Sequence, residues 1–179
     1  MAVARLRRAA PLGAGLIRWW AGLGTWRKVG IGVFAVQFLA MAAFSQVQAS
    51  RGALTWDFSI YWQAVWLIAH GHLDPFSTLL GYPFYQSHFE LIVWPMSLLY
   101  WAWPHPVLLK WIQDAALAGA SLVAYLWVGE ITNRSGLVGR PRALALLVAA
   151  GLLIANPWTY WAAGFDFHLE TVAGFLVMT

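Results

Sequence analysis

The chain contains no cysteine, which excludes disulfide staples, thiolate nucleophiles and cysteine metal sites, and leaves redox chemistry silent about its compartment. Charge is nearly as scarce. Asp, Glu, Lys and Arg make up only 10% of the 179 residues, against about 25% in soluble domains. A phosphate-binding glycine loop, a nucleophile elbow, an internal repeat and a flexible linker are also missing, which leaves one membrane domain or part of one.

What is present is apolar: 61% of residues are hydrophobic, 13 are tryptophan, and the mean hydropathy is +0.63. That composition belongs to an integral membrane protein, expected to be all-α with several membrane-crossing helices. The net charge of +4 is concentrated, with Arg5, Arg7, Arg8, Arg18, Arg27 and Lys28 supplying six of the eleven basic residues. They flank a hydrophobic run and are not interleaved with polar and aromatic residues on a soluble module. The pattern therefore reads as a topology signal and excludes a nucleic-acid partner.

Residues 1–28 form a basic arm placed in the cytoplasm, and residues 29–179 a membrane domain. The first span covers about 29–48, and the basic region ahead of it is too long for a cleavable signal peptide. An outer loop, 49–105, follows, with Arg51 as its only Lys or Arg. Spans at about 106–131 and 143–162 flank a loop carrying Arg134, Arg140 and Arg142, which positive-inside logic keeps in the cytoplasm. Pro157 is expected to bend the third span, with Trp158, Tyr160 and Trp161 in an aromatic belt. Within the outer loop two apolar stretches are too short to cross. Residues 58–69 read as a surface-lying amphipathic helix, with Ser59, Gln63 and His70 on one stripe and Phe58, Trp62, Val65 and Ile68 on the apolar face. Residues 91–103, interrupted by Pro95, read as a second interfacial helix. The final apolar run, 171–179, is too short to cross a hydrocarbon core of about 30 Å. The native reading frame is expected to continue, leaving this last helix frayed.

Two acidic motifs fall on the same side in this topology, and charge at a bilayer boundary marks candidate functional sites. Asp57, in Thr55-Trp56-Asp57-Phe58, stands where it could cap the following helix or serve as a general base. In Phe165-Asp166-Phe167-His168-Leu169-Glu170, an extended backbone would turn Asp166, His168 and Glu170 to one face, an adequate ligand set for a divalent ion such as Mg or Mn. Asp57 and Asp166 are expected within about 10–12 Å, with substrate between a base and a bound ion. His88 and Glu90 are candidate phosphate or sugar contacts, and Lys110 and Gln113 are further substrate-binding candidates. Lys110 and Asp114, one turn apart, are expected to pair. His70-Gly71-His72-Leu73-Asp74-Pro75 looks like a metal motif, but its glycine and Asp-Pro mark a helix end and turn.

The order of a cytoplasmic arm, one span, Trp56-Asp57, an aromatic helix, His70-Gly71 and Pro75 resembles the first outer loop of membrane glycosyltransferases of the GT-C fold. Phe84-Tyr85-Gln86-Ser87-His88-Phe89-Glu90, the stretch 95–100, Leu109 with Gln113, and Phe165-Asp166-Phe167-His168 resemble a family of bacterial membrane proteins called domain of unknown function 2079. The resemblance runs from about Trp56 to the end. It implies a first-loop acid acting as base or metal contact and a second acid in the next outer loop, positions that Asp57 and Asp166 take. Where the commoner pattern has Asp-Glu, this chain has Asp57-Phe58. The function implied is sugar transfer from a polyprenyl-phosphate donor to an envelope acceptor on the outer face of the bacterial plasma membrane. The rival is a non-catalytic membrane protein that binds lipid or transports a solute, its acids lining a polar cavity.

Overall fold

The computed structural model of the chain describes residues 12–179, so Arg5, Arg7 and Arg8 lie outside the described residues. The fold is all-α: α1 (Leu12–Gly22), α2 (Thr25–Ser50), α3 (Trp56–Ala69), α4 (Val93–Ala102), α5 (Val107–Arg134), α6 (Gly139–Ile154), α7 (Pro157–Gly164) and α8 (Leu169–Met178). The exceptions are a two-residue antiparallel pairing of Phe76–Ser77 with Tyr82–Pro83 and one 3-10 turn, Phe84–Gln86. Three segments are long and apolar enough to cross a membrane, namely α2, α5 and the continuous stretch of α6 and α7.

The two longest helices show why the bundle forms. Along α2 the buried positions Gly30, Val33, Gln37, Met41 and Ser45 recur every three or four residues and make one face. Val36, Leu39 and Phe44 on the other faces are large, apolar and exposed. A helix that is apolar all round yet buried on one stripe suits lipid on its remaining surface. Opposite it, α5 turns Asp114, Ala118, Ser121, Tyr125 and Gly129 inward. The helices run antiparallel, since Ser45 meets Asp114 at one end while Trp26 lies against Gly129 at the other. A Cβ on Gly129 would come within 2.3 Å of the Trp26 ring, so the missing side chain is what lets the indole approach α5 this closely.

α6 and α7 return alongside α2. Leu146 and Ala150 join Val33 and Tyr125 in one cluster, and Ala163 joins Met41 and Ala118 in another. Pro157 does not bend a continuous helix here. α6 stops at Ile154, and Pro157 opens α7 at a position where its missing N–H costs nothing, with the Asn156 side chain accepting from the Trp158 N–H at 3.1 Å. At the start of the chain, α2 begins at Thr25, four residues before the expected span.

The loop between α2 and α5 is a packed cap, and its first helix differs from expectation. Phe58, Tyr61, Val65 and Ile68 of α3 are buried against Phe84, Val93, Met96, Leu109, Phe167 and Leu169. The stripe assigned to lipid is thus a protein core, and Trp62 from that stripe is only partly buried. α4 stays a short helix, as its length requires, and Trp101 Nε1 ties it to α3 by donating to the Ala69 carbonyl at 2.9 Å. Gly71, at φ +89°, ends α3 in the left-handed region, and the N–H of His72 returns to the Leu67 carbonyl at 3.0 Å. The His70 to Pro75 run is therefore a helix stop, as its glycine implied.

The last apolar run is not frayed. α8 is helical through Met178 and packs on α5, with Leu169 and Val172 buried and Phe175 over Gly119, where a Cβ would come within 2.6 Å of the ring. Gly119→Ala is therefore expected to cost about 1–3 kcal/mol through overpacking, read as a lowered thermal midpoint in detergent. Adding Phe175→Ala should recover part of that loss, because the two positions share one contact; strict additivity of the two losses would show that this contact is not the cause.

Candidate functional site

Between α7 and α8 the chain crosses the end of the bundle in a non-helical stretch, residues 165–168. Its peptide groups and the last carbonyls of α7 have no intrahelical partner, and burying them unpaired would cost roughly 1–3 kcal/mol each. Side chains from α5 supply the partners. Lys110 Nζ donates to the carbonyls of Ala163 and Phe165, both at 2.7 Å, and places a cation at the negative end of α7. Gln113 donates to the carbonyls of Ala162, at 3.1 Å, and Asp166, at 3.4 Å, and accepts from the His168 N–H at 2.8 Å. From α2, Gln48 donates to the Gly164 carbonyl at 2.9 Å.

Lys110, Gln113 and Asp114 are each 0% exposed. Lys110 and Gln113 are thus braces for the crossing segment and present nothing to a substrate, contrary to their expected role. Nor do Lys110 and Asp114 pair: the carboxylate accepts instead from the Ser45 hydroxyl at 2.7 Å. Both charged groups found closer partners on neighbouring helices than each other.

The braced segment delivers Asp166 to the start of α3. One carboxylate oxygen accepts from the Asp57 N–H at 3.0 Å and from the Thr55 hydroxyl, and the other accepts from the Phe167 N–H at 3.0 Å. Asp166 therefore caps a helix more than a hundred residues away in sequence. Asp57 makes no cap hydrogen bond with its own side chain; it sits in the first turn of α3, where a negative charge is favoured by the helix dipole. Glu170 holds the equivalent place in the first turn of α8. The two helix N-termini converge, and His168 lies between them, Nε2 3.9 Å from Asp57 Oδ2 and Nδ1 3.6 Å from Glu170 Oε2. Asp57 and Asp166 therefore approach within the expected distance of about 10–12 Å, the Asp166 carboxylate resting on the Asp57 N–H. They wall one side of a cleft of about 280 Å³, lined also by Thr55, Trp56, Gln48 and Phe165.

The alternation expected for residues 165–170 holds in part. Phe167 and Leu169 are buried in the core, while Phe165 is exposed and stacks on the His168 ring at 5.4 Å between centroids. Because both Asp166 oxygens are taken by protein donors, Asp166, His168 and Glu170 do not converge as ligands. Among the described residues no group of three His, Cys, Asp or Glu side chains could hold a metal ion. As they stand, these side chains do not form a ligand set for Mg or Mn.

Behind this cluster lies Tyr61, one helical turn beyond Asp57. Its ring meets Phe167 at 5.1 Å, His88 at 5.4 Å and Phe84 at 5.7 Å, and its hydroxyl donates to Glu90 Oε1 at 3.2 Å. Burial first, then the charge of Glu90, pushes the Tyr61 pKa up, which holds the phenol protonated and makes it a donor. Tyr61 thereby links His88 and Glu90 to the Asp57 end of the site. Among the described residues Glu90 Oε2 has no hydrogen-bond partner. The i, i+4 spacing from Asp57 was the available signal for Tyr61; Thr55 and Gln48 carried none.

Lys110→Met, which keeps the length and removes the donor, is expected to lower stability by about 2–3 kcal/mol, since two buried carbonyls lose a charged partner. Protease protection across residues 162–168 should fall with it. Unchanged protection would mean that Lys110 does not brace this segment.

No curated protein matches the chain, and no solved structure matches it. A family model described as Predicted membrane protein (DUF2079), a family of unknown function, matches residues 52–179. The match begins just after α2 and takes in the whole cap, all the helices that follow, and every residue lining this cleft except Gln48. With most of its length matched, the chain belongs to the DUF2079 family of membrane proteins.

Proposed function

We propose that the cleft transfers a sugar from a polyprenyl-phosphate donor to an envelope acceptor, in an arrangement like that of GT-C glycosyltransferases. The observation that carries this reading is a cleft walled by Asp57 and Asp166, with the His168 imidazole held between the carboxylates of Asp57 and Glu170. Asp57 acts as general base: it takes the proton of an acceptor hydroxyl as that oxygen bonds to the anomeric carbon. The bond from that carbon to the phosphate oxygen breaks, and its electron pair leaves on polyprenyl phosphate. His168, held between two carboxylates, donates to the departing phosphate and offsets the developing charge. Asp166 is a positioning residue that fixes the backbone of Asp57. Glu90 and His88, linked to the Asp57 end of the site through Tyr61, are assigned to hydroxyls of the sugar.

The cleft faces outward from the plasma membrane in this reading, and the N-terminal arm lies in the cytoplasm. Support comes from the basic residues: Arg27 and Lys28 at the start of α2, Arg134 at the end of α5, and Arg140 and Arg142 at the start of α6 share the opposite end of the bundle.

In cells carrying the protein, Asp57→Asn is expected to lower transfer about 100-fold or more with expression retained, measured as label moved from a polyprenyl-phosphate sugar into acceptor. Wild-type turnover in that variant would remove Asp57 as the base. Cysteines at Leu73, 61% exposed in the cap, and at Ser135, exposed in the α5–α6 turn, should differ on intact cells: an impermeant thiol reagent is expected to label the first alone. Labelling of both, or of Ser135→Cys alone, would reverse or abolish the orientation.

A further inference from the structure

The basic end of the bundle carries a second cavity, of about 410 Å³, between α2, α5 and α6. Its mouth holds Arg142 and Trp26, and its floor runs along Val29, Tyr125, Leu146 and Leu147. The Trp26 indole is seated on α5 by the bare backbone of Gly129. Two guanidinium groups lie over that ring, Arg27 at 5.2 Å and Arg142 at 5.9 Å from the centroid, and Lys28 lies over Trp20 at 5.7 Å. Stacking of this kind orients a cation without neutralising it.

Charge at this end is unbalanced. Among the described residues Arg27, Lys28, Arg134, Arg140 and Arg142 face one acid, Glu130, and that carboxylate is engaged by Arg134 at 2.8 Å. Arg142 forms no ion pair among the described residues, and its buried Nε has no hydrogen-bond partner. A desolvated guanidinium N–H without an acceptor is costly, and a phosphate oxygen is the acceptor its planar fork matches best. The floor below it is the opposite: Val29 and Leu147 are apolar and exposed, leading from the guanidinium down the flank of the bundle. A cation at the mouth with an apolar run beneath it complements a molecule that is an anion at one end and a hydrocarbon chain at the other.

We propose that this cavity is a binding site for an anionic glycerophospholipid, its headgroup phosphate on Arg142 and one acyl chain along Val29, Leu146 and Leu147. The site is separate from the cleft of Asp57 and does not depend on what that cleft does. It would stiffen the junction of α2 and α6, because the lipid touches both.

The test uses the purified chain in a zwitterionic detergent, titrated with phosphatidylglycerol, with phosphatidylcholine and with inorganic phosphate. Retention is read by native mass spectrometry, and thermal midpoint is read in vesicles of phosphatidylcholine alone or in equal mixture with phosphatidylglycerol. The expected result is preferential retention of phosphatidylglycerol, a higher midpoint in the mixed vesicles, and about tenfold weaker retention in Arg142→Gln for the loss of one charge-assisted contact. Arg140→Gln, an exposed arginine outside the cavity, should leave retention unchanged. Arg142→Lys keeps the charge but not the fork, and should fall between the wild type and Arg142→Gln; it also serves if the glutamine variant does not fold. Equal losses in the Arg140 and Arg142 variants would reveal diffuse surface attraction and overturn the site. So would stabilisation by inorganic phosphate as large as that by the lipid, or unchanged retention in both Arg142 variants.

Discussion

A helix that ends inside a protein leaves carbonyls with no partner, and a non-helical crossing adds more. At the end of α7 five such groups fall within residues 162–166, partly buried against α2 and α5. One buried lysine and one buried glutamine, a turn apart on α5, meet four of them, and Gln48 of α2 meets the fifth. The cation is tolerable at that depth because it faces the negative end of a helix and two carbonyl dipoles. Everything at the cleft inherits its position from this brace. With residues 165–168 held, Asp166 reaches the start of α3, Phe167 enters the core beside Tyr61, and His168 stands between two helix N-termini.

The acids at that end serve two purposes from the same physics. The first turns of α3 and α8 flank the same imidazole, and carboxylates there offset the positive ends of both helices. Asp57 and Glu170 stand in the first turns and Asp166 caps from outside. Their presence is explained by helix electrostatics before any chemistry is invoked. What capping leaves unexplained is the solvent-facing cleft, the imidazole between two carboxylates, and a glutamate with one oxygen unpaired beside a protonated tyrosine. Those features have no structural duty and carry the functional reading.

Much of the architecture was legible in hydropathy because lipid imposes a length and a composition on any segment that crosses it. Spans near α2, α5 and the α6–α7 stretch followed from that, as did the shortness of α4 and the stop at Gly71. The role of α3 did not. An apolar stripe on a helix states only that something apolar covers it, and lipid and protein leave the same pattern; the burial of Tyr61 among Phe84 and Phe167 shows that here it is protein. Lys110 and Asp114 were misread for a related reason. Spacing along one helix brings two charges within reach, but Ser45 and the carbonyls of α7 come from other elements and compete more effectively.

The sequence alone determined the solvent of this protein, its helical class, the lopsided distribution of its cations and the two acidic motifs on one side of the bundle. These are properties of composition and local order, and the hydrophobic effect reads them without reference to any partner. Which groups the acidic side chains answer to was decided only by tertiary structure. Asp166 meets the N–H of Asp57 across more than a hundred residues, and His168 finds Asp57 and Glu170 on two different helices. A hydrogen bond has a range of about 3 Å, so its partner is settled by how the helices pack, and no spacing along the chain can name it.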